Sequence, residues 1–170
     1  MPEKKENTRI LVISDTHIPL SCPSLPKQVI EELKRSCLCI HAGDFIDIEV
    51  ANEISKHTEL KAVRGNMDSE QIQKKFPNKL VITIEGVKIG LTHGGGPPFN
   101  IMKKITSNFS EEIDLYIFGH THVACDKIHK GKIFFNPGSP TDKFFAKFCS
   151  YGILNITGKN VERKIIRIDN

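Results

Sequence analysis

The sequence predicts an α/β fold with parallel strands in its first part and antiparallel strands later. Three observations carry this. Short apolar, β-branched runs recur along all 170 residues. In the first third they alternate with helical periodicity. In the second half, Glu85-Gly86 and Lys130-Gly131 each separate two such runs. Alternating strands and helices imply parallel strands joined by crossover helices, whereas two-residue connections ending in glycine imply hairpins.

Taken in order, Arg9–Ser14 reads as a buried strand because it is continuously apolar without period-2 alternation. A connection containing Pro19, Pro23 and Pro26 leads to a helix around Lys27–Arg35. Cys37–His41 is a second strand, ending in Gly43-Asp44. Helical periodicity returns near Ile48–Lys56, and a third strand, Leu60–Val63, ends in Gly65-Asn66. Lys79–Ile84 and Val87–Thr92 form the first hairpin. A helix near Phe99–Phe109 and a strand at Leu115–Phe118 follow. Val123–His129 and Lys132–Phe135 form the second hairpin, and Tyr151–Ile156 and Val161–Ile168 close the chain as strands.

A chain of this length builds one full hydrophobic core, and no repeat or linker divides it, so residues 1–170 are expected to form a single domain with a polar extension at 1–8. The extension lacks the apolar centre of a secretory signal, and no apolar run reaches the ~20 residues needed to cross a bilayer. The net charge of +4 is spread over scattered lysines and arginines, so no dedicated nucleic-acid surface and no membrane partner are expected. Five cysteines, an odd number with no second CxxC-like pair, point to a reducing, cytoplasmic location; Cys37 and Cys39 read as buried strand residues.

The positions of the polar residues point to chemistry. Asp15 and His17 follow the first strand, Asp44 the second and Asn66 the third. His93 ends the first hairpin, and His120 and His122 follow Leu115–Phe118. Ligand sites in α/β sheets lie beyond the carboxyl ends of the parallel strands, so these groups can converge on one rim. Two carboxylates, one amide oxygen and four imidazoles exceed the needs of one ion and suit two, one carboxylate bridging. The mixed oxygen and nitrogen donors favour manganese, iron, nickel, cobalt or zinc over calcium or magnesium. Each piece alone has a plainer reading: Asp15-Thr16-His17 as a turn with a helix cap, Gly43-Asp44 and Gly65-Asn66 as turns. Their conjunction, in this order and at these strand ends, is what argues for a site.

These residues resemble the calcineurin-like metallophosphoesterases. That family's motifs D-x-H, G-D-x-x-D, G-N-H-[DE], a histidine before glycine, and G-H-x-H correspond to Asp15-Thr16-His17, Gly43-Asp44-Phe45-Ile46-Asp47, Gly65-Asn66-Met67-Asp68, His93-Gly94 and Gly119-His120-Thr121-His122. Asn136-Pro137-Gly138-Ser139 is similar to a segment of the small prokaryotic phosphodiesterase branch. The resemblance spans residues 9 to about 140. It implies a four-layer αββα sandwich of two mixed sheets flanked by helices, with a site for two divalent metal ions, manganese first among them, at its edge. Carried over, Asp15, His17, Asp44 and His122 would hold one ion, and Asp44, Asn66, His93 and His120 the other. Asp47 and Asp68 resemble supporting acids; each could equally be a helix cap, and Asp68 with Gln71 fits a capping box.

The chain departs from the family at Met67, where the family has the histidine that protonates the leaving group. Met67 would instead line a substrate pocket or simply pack. The expected activity is hydrolysis of a small phosphate ester by a hydroxide shared between ions ~3.5–4 Å apart. Asp44, Asn66 and His93 would be the catalytic residues. Without a general acid, turnover should be slow and should favour a diester, or an ester with an acidic alcohol. A phosphomonoesterase and a non-catalytic scaffold remain alternatives. The scaffold reading comes from the retromer subunit of this fold, which His17-Ile18-Pro19 and Ser24-Leu25-Pro26 resemble. Related small proteins form dimers or tetramers, which implies a homo-oligomer. His41, His57 and His129 lie outside the motifs and read as structural or exposed, and Gly94–Pro98 as either a close approach to substrate or a tight connection.

Overall fold

The computed structural model describes residues 8–169; the expected polar extension lies outside them except for Thr8. The first sheet is built on β1 (Thr8–Ile13), β2 (Leu38–His41) and β3 (Glu59–Ala62), with α1 (Lys27–Leu33) and α2 (Ile48–Ser55) as crossovers. α3 (Glu70–Lys75) follows β3. The second sheet contains the hairpin β4 (Lys79–Ile84) and β5 (Val87–Thr92), then α4 (Ile101–Ser107), β6 (Leu115–Ile117) and the hairpin β7 (Cys125–His129) and β8 (Lys132–Asn136). The chain then returns to the first sheet as β9 (Ser150–Thr157) and β10 (Asn160–Arg167).

Both sheets have five strands, ordered β10-β9-β1-β2-β3 and β4-β5-β6-β8-β7. β1, β2 and β3 are mutually parallel, as are β5, β6 and β8, and the remaining pairings are antiparallel. In the expected hairpins Glu85, Gly86, Lys130 and Gly131 all have positive φ, the conformation that a tight two-residue turn between twisted strands requires.

Continuous apolarity of β1 follows from burial on both faces. Ile10 and Val12 join Ile40, Ile89, Leu91, Ile117 and Phe135 between the sheets. Leu11 and Ile13 face Val29, Leu33, Val50, Ile54 and Ile72 of α1, α2 and α3. On the outer face of the second sheet, Ile105 of α4 packs with Tyr116, Phe118 and Phe134. The layers are therefore helix, sheet, sheet, helix. No helix among the described residues is long and apolar enough to cross a membrane.

Two local expectations change. Cys37 is exposed just before β2, its thiol donating to the Arg9 carbonyl, whereas Cys39 is buried as expected. α3 begins after Ser69, and Asp68 forms no capping box, because its carboxylate is committed to three backbone amides outside the helix. Asp47 is the N-cap of α2 and accepts from the Glu49 amide at 3.0 Å.

Candidate metal centre

Parallel β1, β2 and β3 and parallel β5 and β6 present their carboxyl ends at one edge of the sandwich, and the loops leaving them carry all seven expected donors. These loops are conformationally unusual. Asp15, His17, Asp44, His120 and His122 all have positive φ, which costs a non-glycine residue energy and persists only where the surroundings dictate it. The reason is close approach of one loop to the next. The Asp15 amide donates to the Gly43 carbonyl at 2.9 Å and the His17 amide to that of Asp44 at 3.1 Å. Gly65 sits against Asp44 and Gly119 against Ser14 and Asp15, with no room for a Cβ at either glycine.

Within this edge the donors form a continuous cluster. Asp15 Oδ1 lies 3.8 Å from His17 Nε2 and 3.4 Å from His122 Nε2. Asp44 Oδ2 lies 3.5 Å from His17 Nε2 and 3.3 Å from His93 Nε2, so one carboxylate oxygen faces both halves. His93 Nε2 is 3.1 Å from Asn66 Oδ1, which is 3.2 Å from His120 Nδ1. Two subsets have ligand atoms close enough to share an ion: Asp15, His17 and His122, and Asp15, Asp44 and His93.

Electrostatics at the cluster are coupled. Burial raises the Asp15 carboxyl, but the His122, His17 and His93 imidazoles beside it outweigh burial and hold it well below the usual carboxylate range. For Asp44, burial is likewise outweighed by the His93 hydrogen bond and charge and by the Met67 amide, and its pKa is lowered. Burial lowers His93, yet its bond to Asp44 and the charges of Asp15 and Asp44 leave it raised. The same balance, with Asp15 and Asp142 as partners, raises His122 to about 9. Two buried anions surrounded by imidazoles thus favour positive charge at this position.

The orientation of the imidazoles suits the donor set to metal ions. His93 Nδ1 donates to the Ala42 carbonyl at 2.7 Å, and His122 Nδ1 is bound by Asp142, so both rings direct Nε2 into the cluster. A ring nitrogen tied to a carbonyl or carboxylate while the other faces inward is the usual support of a ligating histidine. His17 Nε2 is buried with no hydrogen-bond partner, a costly arrangement that a coordinated cation would relieve. The residues fit.

Several supporting roles were not apparent in the sequence, although Asn136 and Ser139 lie in a segment that the resemblance marks. Asp142, in the loop before β9, pairs with His122; nothing in its flanking residues marks it. Ser139 and Thr141 bond the Asp15 and Thr16 carbonyls at 2.7 Å each, and Asn136 Nδ2 bonds the Gly119 carbonyl at 3.1 Å. A sixth strand end, that of β8, therefore buttresses the site. Asp68 ties Asp44, Ile46 and Gly65 together through their amides, the supporting role carried by the resemblance, whereas Asp47 serves α2. His41 is buried against Thr16 and Phe45, and burial, only partly opposed by Asp15, pushes it down to about 3, so it is neutral. His57 pairs with Glu53, and His129 is exposed on β7. Met67 donates its amide to Asp44 Oδ1 at 2.8 Å, while the residue is 51% exposed and so is not part of the core.

Two clefts flank the cluster. One, of about 350 Å³, is lined by Arg64, Lys79 and Gly94 and meets the cluster at Asn66 and His93. The other, of about 400 Å³, is lined by Gly96, Pro98, Val123 and Phe145 and meets it at His120 and His122. The Gly94–Pro98 loop runs between them, with the Gly96 carbonyl 3.1 Å from His120 Nε2.

Residues 8–159 match the calcineurin-like phosphoesterase superfamily domain. A protein of Methanothermobacter thermautotrophicus named as a probable metallophosphoesterase is 31% identical over 157 residues, covering 92% of this chain and 90% of the relative. A solution structure of a Thermotoga maritima protein superposes with a TM-score of 0.77 at 33% identity, over 95% of this chain and 99% of that one. Vacuolar protein sorting 29 of Cryptosporidium parvum, at 22% identity, has a TM-score of 0.77 over 95% of this chain and 99% of its own, a likeness of fold alone.

Proposed function

This chain belongs to the calcineurin-like phosphoesterase superfamily, and from that premise we propose that it is a metal-dependent phosphodiesterase acting on a small phosphate ester. Asp15, His17, Asp44 and His122 hold one divalent ion in this reading, and Asp44, Asn66, His93 and His120 the second. The observation that carries it is the position of Asp44 Oδ2, within 3.5 Å of both His17 Nε2 and His93 Nε2. Manganese is the first ion to test, with nickel, iron, cobalt and zinc also suited to the donors.

Divalent ions supply Lewis-acid charge and a water of lowered pKa to such a site. The chain's own residues define the rest. Asp44 and Asp15 provide the buried negative charge that offsets two cations. Asp142 and the Ala42 carbonyl fix the tautomers of His122 and His93. The Met67 side chain offers no proton, so the departing alcohol must leave as a stable anion, which favours a diester with an acidic alcohol. Clefts on both sides of the cluster give room for two ester arms, where a monoester has one.

Purified protein supplied with manganese should therefore hydrolyse bis(p-nitrophenyl) phosphate faster than p-nitrophenyl phosphate, and chelation should abolish both rates. Inactivity on both esters with metal bound would overturn the enzyme reading in favour of a scaffold.

Asp142→Asn should weaken manganese affinity by roughly 10–100-fold, the usual cost of losing the partner of a ligating histidine. Calorimetric titration measures this directly; an unchanged affinity would remove Asp142 from the site.

A further inference from the structure

The cleft beside His120 and His122 differs in chemistry from its counterpart. The cleft at Asn66 and His93 carries Arg64 and Lys79, whose nitrogens bond amide and carbonyl oxygens and, among the described residues, no carboxylate. Among the described residues, the cleft at His120 and His122 is lined by no ionisable side chain other than those two histidines, and its walls include Pro98, Val123 and Phe145. Val123 is 55% exposed and Phe145 82% exposed, and a solvent-facing apolar cluster rimming a polar site marks a surface that something covers.

Its placement is fixed by the site. Asp142 binds His122 Nδ1 through one oxygen, while its other oxygen accepts from the amides of Phe144 and Phe145 at 2.8 and 3.1 Å. The Phe145 ring stands edge-on to His122, with centroids 6.2 Å apart. One carboxylate therefore positions both a metal-facing imidazole and the aromatic wall next to it. A group joined to phosphorus at the cluster has only to extend past His120 or His122 to reach that wall.

We propose that this cleft is the subsite for an aromatic arm of the phosphodiester, an aryl or heteroaryl group, with Phe145 as its stacking wall. The proposal rests on the phosphodiesterase reading and narrows it to a substrate class. Rings suit the walls better than alkyl chains do, because the Phe145 face, the Pro98 ring and the imidazole edges offer stacked and edge-on contacts that an alkyl group cannot match.

The test compares phenylphosphonate with methylphosphonate as ligands of the manganese-loaded protein, by calorimetry and so without turnover. Wild type should bind phenylphosphonate about tenfold more tightly, the value of one good aromatic contact. The preference should vanish in Phe145→Ala and persist in Phe145→Tyr, which keeps the wall. Equal affinities in wild type, a preference unchanged in Phe145→Ala, or no binding of either ligand would overturn the proposal. So would a concentration-dependent dimer that Phe145→Ala dissolves, since the surface would then serve contact between copies. Preferential binding without hydrolysis of either nitrophenyl ester would leave the subsite standing and defeat the phosphodiesterase reading instead.

Discussion

Asp44→Asn should lower the rate on bis(p-nitrophenyl) phosphate by about 10³-fold or more and leave the purified protein with fewer metal ions per chain. Loss of one ion removes several kcal/mol of charge stabilisation from the transition state, which sets this scale. The substitution is nearly isosteric, so the loops it joins can keep their shape: the Asp44 amide still donates to Asp68, and an amide oxygen can still accept from Met67. It removes the negative charge at the oxygen that faces both His17 and His93, and an asparagine holding its oxygen toward Met67 turns an NH2 donor to that position. A neighbouring acid gives the control. Asp47 caps α2 and makes no other side-chain hydrogen bond among the described residues, so Asp47→Ala should cost about 1 kcal/mol of stability while sparing metal content and rate. Elemental analysis and steady-state kinetics on the pair decide the matter; wild-type metal content in Asp44→Asn would remove Asp44 from its proposed bridging place.

How much of this was legible in the sequence depends on how local each cause is. β1 could be read because four successive residues, Ile10 to Ile13, are buried on alternating faces, and such a run has few other uses. The two hairpins could be read because Gly86 and Gly131 permit the positive φ their turns need. α3 left only a capping-box pattern at Asp68 and Gln71 and no periodicity, since Ile72 is its only buried residue and one apolar position sets no period. Nor does the sequence reveal that β9 leaves the neighbourhood of β8 to pair with β1, a contact formed about 140 residues apart along the chain. The same distinction runs through the site. Asp15, Asp44, Asn66, His93, His120 and His122 stand directly after strands or their glycine turns, which makes their convergence a consequence of topology. Asp142, Ser139 and Thr141 lie in an irregular segment, and their roles arise only when the loop after β8 folds over those after β1 and β6.

Met67→His should raise kcat by about 10²–10⁴-fold on diesters with alkyl leaving groups and change it little on nitrophenyl esters, whose anions need no proton to depart. The position is prepared for the exchange. Its backbone is tied to the cluster through the bond from the Met67 amide to Asp44 Oδ1, and the residue is 51% exposed, so its side chain can be replaced without opening a cavity in the core. The pH dependence tests the mechanism independently of the rate. A histidine acting as general acid must be protonated to work, so the gain should be greatest at low pH and fade as pH rises through about 6.5, the ordinary imidazole value. Wild type, lacking this group, should show no such falling limb attributable to residue 67, and Met67→Ala should resemble wild type because neither side chain donates a proton. An equal rise on alkyl and nitrophenyl esters would mean that residue 67 affects binding or access. No rise on alkyl esters would mean that proton delivery does not limit the reaction, and the preference for acidic alcohols argued from Met67 would fall with it.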